Sequence, residues 1–398
     1  MIKKSILIFI EDGPVTYDNR VRNHISTLIK NNYDITVLCP KLSYNKNFFE
    51  KVNSNYRVYY YPKLFTEAES IFAHIIEHLS SLFLGFLFTL YIYFKYGFKI
   101  FHACNPTDIL FLIYLPYKLL KVKFIFDQHD LCPEVYLSRK NTSKKNLLYK
   151  VLILLEKYSY KFSSAVISTN NSYKNNARNR GKVDDSKIFV VRNGPNLEKF
   201  NLSNIKKNLR NDDCINVGYV GNMNMQDGVD EIIYIAEIII KKYRINNIKF
   251  IMIGSGPQLN FIKKKCHEKK VLNYFNFLGR VTDDILLSSL YSCDIGVQPD
   301  PYNYLNNVST MNKIMEYMAL KLPFVSYDLI ESRYSGGKSG LYAEVNNRDD
   351  FAKKIILLSK NQKLRNKMSS IGRYRIENKL SWQIVSKNLI ECYDFVLK

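Results

Sequence analysis

The sequence predicts an α/β protein of two tandem, doubly wound domains, each a largely parallel sheet covered by helices. Three observations carry that prediction. The chain has 398 residues, enough for two domains of roughly 150–200 residues. Short apolar runs alternate with longer amphipathic ones throughout. The alternation breaks at a polar, charged stretch over 204–213 and then restarts. The expected domains are 1–203, joined by a last helix over 380–398, and 204–379. Ligands of such sheets bind beyond the carboxyl ends of the strands, so the two sheets are expected to face one cleft.

Each element follows from its local pattern. Strands are expected at Ser5–Ile10, Ile35–Cys39, Arg57–Tyr61, Ile100–Ala103, Phe124–Phe126, Ala165–Ser168 and Ile188–Val191. Most are continuous apolar runs, the mark of strands buried on both faces. Helical periodicity lies between them, for example at Asp18–Lys30 and Lys145–Phe162. After the break come Ile215–Val220, Lys249–Ile253, Phe275–Leu278, Ile295–Gln298, Phe324–Tyr327 and Leu341–Ala343. Apolar positions from Trp382 to Leu397 repeat near the helical period, so a helix closes the chain on one domain or the other.

Composition bounds the partners. An apolar content of 46% with 14% aromatics excludes collagen, coiled-coil and disordered classes. A net charge of +22 predicts attraction to something anionic: nucleic acid, a phospholipid surface or a phosphorylated substrate. Seven scattered cysteines without a Cys-x-x-Cys give neither a disulfide framework nor a zinc site, and suit a reducing cytosol. The opening apolar run is short and meets Glu11-Asp12-Gly13, which reads as a first strand rather than a leader peptide.

Leu79–Phe94 is the most apolar segment, with Leu82–Phe94 uninterrupted. It is short of the roughly 20 apolar residues that a span needs, which favours a core helix or an interfacial, membrane-docking helix over a true span. His74 and His78 lie four apart around Glu77, a zinc-like spacing, but no third ligand is near, and a chance pair is the better reading. The stretch Arg139–Lys182 carries many Lys and Arg and one acid, Glu156. It is either a solvated basic face or a patch for anionic headgroups. No nucleic-acid-binding signature accompanies it.

Gly221–Gly228 follows the first strand of the second half, and Gly254-Ser255-Gly256 the next. Glycines there allow backbone N–H groups to approach a phosphate or sugar, although tight strand-to-helix turns use them anyway. Asn222 falls in the first of these loops. In Asn307–Met318, Ser309 or Thr310 is expected to cap a helix, with Lys313 in its first turn and Glu316 on the same face. A cation is poorly placed at a helix start unless an anion sits there too, which suits a diphosphate. A Lys313–Glu316 salt bridge is the plainer alternative. Asp127-Gln128-His129-Asp130 ends a strand, where His129 is either a group that orients substrate or moves a proton, or a structural histidine of the loop.

Together these residues resemble glycosyltransferase family 4, retaining nucleotide-sugar transferases of the GT-B fold. The resemblance rests on Asp18-Asn19-Arg20-Val21-Arg22, Phe126–Glu134, Val190–Pro195, Val217–Gly221 with Gln226-Asp227-Gly228, Ile253–Pro257, Leu278–Val281 and Asn312–Ala319 with Leu322-Pro323. It is closest to the bacterial branch that builds O-antigen, capsule or related polysaccharide. The resemblance implies that Glu316 binds the ribose hydroxyls, that Gly221 lies in the donor loop, and that the backbone of Val281 meets the base. It puts His129 beside the donor sugar and Asp12 and Gly13 in the loop facing donor and acceptor. Asp18, Arg20 and His129 complete the expected acceptor side; Asn222, Gly254, Ser309 and Thr310 the donor side. The last helix, by the same resemblance, crosses back to the first domain.

Two departures matter. The first Glu of the family's pair falls on Val308, and the loop places where many members carry Arg and Lys hold Asn222 and Asp227. Lys313, Arg280 or Arg192 must then meet the diphosphate, with Glu316, Lys313 and His129 carrying the chemistry. The expected reaction moves a sugar, for example an N-acetylated hexosamine or 6-deoxyhexosamine, from a UDP-linked donor to a polyprenyl-diphosphate-linked saccharide, with retention. No metal cofactor is expected, because no Asp-x-Asp is present to hold magnesium on a diphosphate. The protein is expected in the cytoplasm, peripheral at the inner face of the membrane and attracted to anionic lipid, with no nucleic-acid partner. A nucleotide-sugar 2-epimerase of the same fold and a non-catalytic membrane- or polyanion-binding protein are the alternatives.

Overall fold

The computed structural model describes residues 4–41, 47–62, 71–140, 142–206 and 214–398, with backbone alone for 71–75. The chain divides into two compact units: Met1–Arg192 with Ser386–Lys398, and Asn193–Val385.

In the first unit the strands are β1 (Ser5–Ile10), β2 (Asp34–Pro40), β3 (Phe49–Lys51), β4 (Tyr56–Tyr61), β5 (Ile100–Cys104), β6 (Lys123–Gln128), β7 (Ala165–Ser168) and β8 (Ile188–Val190). They form one sheet in the order β3-β4-β2-β1-β5-β6-β7-β8. All neighbours are parallel except β3 on β4. β1 and β2 are buried at every position, as their apolar runs require. The helices are α1 (Asn19–Lys30), α2 (Ile71–Tyr96), α3 (Phe111–Leu119), α4 (Cys132–Lys140), α5 (Leu147–Phe162) and α6 (Asn171–Asn179). Asp18 caps α1 by accepting from the Val21 N–H at 2.9 Å, the role expected of a residue just ahead of a helix. Phe9, Phe101, Phe124 and Phe126 point to the sheet face that α2, α3 and α5 cover.

The second unit holds β9 (Ile215–Val220), β10 (Ile248–Ile253), β11 (Phe275–Gly279), β12 (Ile295–Gln298), β13 (Phe324–Tyr327) and β14 (Gly340–Ala343). Their order, β11-β10-β9-β12-β13-β14, is the doubly wound arrangement with its switch point between β9 and β12. Its helices are α7 (Glu231–Glu237), α8 (Leu259–Glu268), α9 (Asp283–Tyr291), α10 (Tyr304–Val308), α11 (Asn312–Ala319), α12 (Ile330–Gly336), α13 (Arg348–Lys360) and α14 (Gln362–Arg375). The last helix, α15 (Trp382–Leu397), begins in this unit and ends in the first.

Several expectations need adjustment. The change of unit falls at Arg192/Asn193, ahead of 203/204, because the segment after Asn193 packs on the second unit. Phe200 is buried in its core, and Trp382 N–H donates to Pro195 O at 3.0 Å. Of the polar stretch 204–213, residues 207–213 lie outside the described residues. β3, a three-residue edge strand fully exposed, carries no apolar run to announce it. The apolar segment forms a longer helix than expected: α2 has 26 residues, and Ile76–Tyr96 is long and apolar enough to cross a membrane. Yet one side of it belongs to the core. Thr89 is buried and accepts from the Tyr117 hydroxyl at 2.7 Å, and Gly85 lies so close over Phe9 that a Cβ would meet its ring at 2.5 Å. The side chain of His74 is outside the described residues, while the His78 ring pairs with Glu11 Oε1 at 2.8 Å.

Candidate active site

On the first unit, β1, β5 and β6 run parallel, so their carboxyl ends and the loops after them share one edge. Asp127, near the end of β6, is fully buried and gathers four cationic or imidazole groups. Arg20 on α1 donates to it through Nη2 at 2.8 Å and Nε at 3.3 Å. His129 Nε2 lies 3.0 Å from its Oδ2, His102 Nε2 3.3 Å and His24 Nδ1 3.5 Å. Burial alone would raise the Asp127 pKa, but Arg20, then the His129 charge and hydrogen bonds from both rings, hold it well below the usual carboxylate range. Burial pushes His24 and His102 below the ordinary imidazole value. His129 moves the other way: burial opposes its charge, and Asp127 and Asp18 outweigh it. Its Nδ1 lies 3.8 Å from Asp18 Oδ2, so both ring nitrogens face carboxylates and the imidazolium is favoured.

The turn that presents His129 is built by Asn105. Its Oδ1 accepts from the N–H groups of His129 (2.5 Å) and Asp130 (3.1 Å), and its Nδ2 donates to Asp130 O at 2.7 Å and Asp108 at 2.9 Å. Asp12 is exposed and Gly13 partly so. Arg20 does not reach solvent as an acceptor-binding residue would. Buried between Asp127 and the Val191 carbonyl (2.6 Å), it supports the histidine cluster from below.

Two sets here have the composition of a metal site, His24–His102–Asp127 and Cys104–Asp127–His129. The donor chemistry does not fit one. The Arg20 guanidinium already holds both Asp127 oxygens, and His102 Nδ1 is engaged with the Tyr393 hydroxyl at 2.6 Å.

On the second unit, the loops after β9 and β10 lock together. Met223 N–H donates to Ser255 O and Gln258 N–H to Met223 O, each at 3.0 Å. A Cβ at Gly254, where φ is +129°, would be driven into the Gly221 carbonyl. Gly254 is therefore required by this close approach of two backbones, whatever the loop binds. Asp227 accepts from the Asn224 N–H at 3.3 Å and closes the turn that carries exposed Asn222.

α11 stands at the end of β9. Tyr317 fixes it there, accepting from Val220 N–H at 3.3 Å and donating to Val297 O at 2.9 Å. Neither Ser309 nor Thr310 caps it. Met311 occupies the cap position without a side-chain bond, and Ser309 instead ends α10. Lys313 reaches Asp300 Oδ2 at 3.0 Å, not Glu316. Asp300 is buried and also accepts from Gln298 at 2.6 Å, so the anion that a cation at a helix start needs is supplied by the protein. Burial disfavours the Lys313 charge, but Asp300 leads the groups that raise its pKa. Lys313 also lies beside the loop after β9: a Cβ at Gly221 would be 3.7 Å from its Cε. The Glu316 side chain, partly buried, has no hydrogen-bond or ion-pair partner among the described residues. Burial raises its pKa, only partly offset by Lys199 and Lys313. Arg280 is exposed just after β11 and Val281 packs against the core there, whereas Arg192 is buried at the end of the first unit.

Two doubly wound units of this kind, with polar and glycine loops at the strand ends, define the two-domain GT-B class of glycosyltransferases. The chain belongs to glycosyltransferase family 4: the family's own model matches residues 18–199, and that of glycosyl transferases group 1 matches 214–361. It is 27% identical over 275 residues to the capsular polysaccharide biosynthesis glycosyltransferase CapM of Staphylococcus aureus, covering 64% of this chain and 67% of that one. It is 28% identical over 271 residues to the N,N'-diacetylbacillosaminyl-diphospho-undecaprenol alpha-1,3-N-acetylgalactosaminyltransferase of Campylobacter jejuni, covering 64% and 66%. The matched part thus spans about two thirds of these relatives' length. Among solved structures, sucrose-phosphate synthase from Thermosynechococcus elongatus shares the fold with a TM-score of 0.79 over 99% of both chains at 14% identity. The protein is a glycosyltransferase.

Proposed function

We propose that the enzyme transfers a sugar from a nucleoside diphosphate, UDP in the first instance, to a lipid-linked saccharide in the assembly of a capsule- or O-antigen-like polysaccharide. One observation carries the donor half of this reading: Glu316 is a partly buried carboxylate whose side chain has no hydrogen-bond or ion-pair partner among the described residues, one helical turn from the Lys313 ammonium, which adjoins the Gly221 loop. Such a carboxylate is suited to accept from the paired hydroxyls of a ribose through charge-assisted bonds. Lys313 uses one of its three N–H donors on Asp300 and offers the others to the diphosphate. Negative charge grows on that diphosphate as the bond to the sugar breaks, and a preorganised ammonium meets it without reorganisation. In this reading Gly221, Asn222, Gly254, Arg280, Val281, Ser309 and Thr310 border the donor.

The acceptor half rests on Asp12, Gly13, Asp18 and His129. The His129 imidazolium, its Nε2 held by Asp127, donates through Nδ1 to a sugar or phosphate oxygen, with Asp127 and Arg20 as its supports. Transfer proceeds with retention, the departing phosphate taking the acceptor's proton on the same face, so no separate general base is required. The reading calls for no metal cofactor, because the Lys313 ammonium held by Asp300 would supply positive charge to the diphosphate. The lipid-linked acceptor is suggested by the Campylobacter relative, whose name specifies a diphospho-undecaprenol substrate. It also accords with work at the cytoplasmic face of a membrane.

A panel of nucleotide sugars, tested for thermal stabilisation and then for transfer onto a short-chain polyprenyl-diphosphate saccharide, tests the reading. One donor should stabilise the protein and be consumed only when acceptor is present, with or without a chelator. Turnover of donor alone would show an epimerase instead. Binding of no nucleotide sugar would overturn the reading.

A further inference from the structure

α2, α3 and α5 lie side by side on one face of the first unit's sheet. Tyr93 of α2 contacts Tyr117 of α3 at a ring distance of 5.4 Å, and Phe111 of α3 stacks on Phe162 of α5 at 5.6 Å. Their inner faces are core, as their place demands. Their outer faces are apolar as well. On α2 an exposed stripe runs through Ile76, Leu79, Phe83, Leu87, Tyr91 and Phe94, three or four residues apart and hence along one side of the helix. Leu112, Leu119 and Leu120 continue it at α3, with Leu119 87% exposed. Leu147, Leu148, Val151, Leu154 and Tyr158 do the same on α5. A contiguous surface of this extent is far larger than scattered exposed leucines and calls for a covering.

Charge identifies the covering. The acids of the three helices are Glu77 and Glu156, both buried, and Glu156 is bound to Arg180. The exposed charges are all lysines: Lys95, Lys118, Lys150, Lys157 and Lys161. Lys95 lies 5.1 Å from the Tyr91 ring, Lys118 5.4 Å from Phe162 and Lys161 5.9 Å from Tyr158, with apolar stems laid along the rings. A second copy of this chain would set lysine against lysine with no carboxylate to pair them. A bilayer supplies both an apolar interior and anionic headgroups, and an apolar face with a cationic rim satisfies both requirements of reversible attachment.

We propose that the outer faces of α2, α3 and α5 together form a monotopic docking surface for an anionic bilayer. α5 contributes leucines to it as well as charge. α2 lies in the interface rather than across it, because its inner side is committed to the sheet. One end of this surface adjoins the acceptor loop: His78, next to exposed Leu79, is bonded to Glu11, and Asp12-Gly13 follow directly. On the acceptor assignment proposed above, a lipid-linked substrate would enter at that end.

Flotation of the full chain with vesicles tests the surface without reference to activity. The protein should bind phosphatidylcholine vesicles that contain phosphatidylglycerol, bind pure phosphatidylcholine much less, and come off in alkaline carbonate. Leu147→Gln with Leu154→Gln, both solvent-facing, should lower partitioning at least about tenfold, since each removes the burial of a leucine. Melting temperature and nucleotide binding should be unchanged. Lys150→Gln with Lys157→Gln and Lys161→Gln should abolish the preference for anionic vesicles. Flotation equal to that of the parent chain in the double-leucine variant would overturn the proposal. So would carbonate-resistant retention, which means a span, or a dimer that the leucine substitutions dissociate while vesicle binding persists. Failure of sugar transfer with flotation intact would refute the enzymatic reading alone.

Discussion

Glu316 and Lys313 sit on one short helix and make opposite demands. A protonated Glu316 loses the charge-assisted acceptance from two ribose hydroxyls that its carboxylate offers, and its pKa is raised by burial. Affinity for a nucleotide sugar should therefore fall on acidification at a pH above the ordinary glutamate value. The diphosphate diester does not titrate there, so calorimetry against pH reads the side chain. Glu316→Gln should weaken binding roughly tenfold or more and remove the pH dependence. Lys313→Ala makes a different prediction from the one its position in the sequence suggests. It leaves Asp300 buried without its cation, so it should cost about 3–5 kcal/mol of stability in a denaturant melt even with no nucleotide present. A variant of normal stability would show that the pair is loose. In the first unit, His24 and His102 have folded pKa values below their unfolded ones. The unfolded chain then binds more protons as the pH drops below about 6.5, so these two groups destabilise the fold progressively toward acid. His24→Asn should reduce the loss in Tm between neutral and mildly acidic pH. Glu316, Lys313 and His129 were all legible as site candidates because unusual residue types stood at strand and helix ends. Asp300 and Asn105 were not legible. Each acts on a residue distant in sequence, and nothing local in Pro299–Pro301 or Cys104–Pro106 marks a partner.

At the scale of elements, the interlocked loops after β9 and β10 give the sharpest prediction. Gly254→Ala would combine a positive φ with a collision into the Gly221 backbone, which cannot move without displacing β9. It should cost more than about 2 kcal/mol and lower nucleotide affinity together with Tm. A substitution that spares both would mean that the loops separate freely. The strands other than β3 were readable almost residue by residue, since a buried parallel strand is a mainly apolar run, and β1, β9, β12 and β13 are buried at nearly every position. Helix starts were less readable. Ser309 and Thr310 have the side chains of a cap, yet Met311 takes the cap position and α11 begins at Asn312, where packing of Tyr317 against β9 and β12 fixes the register. α2 was ambiguous for a physical reason: a helix apolar on every side has no periodicity to say which side faces the core.

Over the whole molecule, the chain's two ends serve one unit. Residues from Ser386 onward belong with Met1–Arg192. Tyr393 bonds to His102, Asn388 donates to Val190 O at 2.8 Å, and Leu389 and Cys392 are buried there. Truncation before Ser386 should therefore destabilise the first unit, which hydrogen exchange would register in β5 and β6, far from the cut in sequence. Protection confined to losses in Asn193–Val385 would contradict that. The amphipathic period of the last helix was plain in the sequence, but not its destination, because periodicity reports that a face is apolar and not what covers it. The same arrangement sets an order of events during synthesis. Domains ordinarily complete themselves as they leave the ribosome, the amino-terminal one first. Here the nascent first unit emerges with His102, and the floor of its histidine cluster, still uncovered. It must wait through translation of the entire second unit, exposed to chaperones and proteases, until the closing helix clears the exit tunnel and seals it.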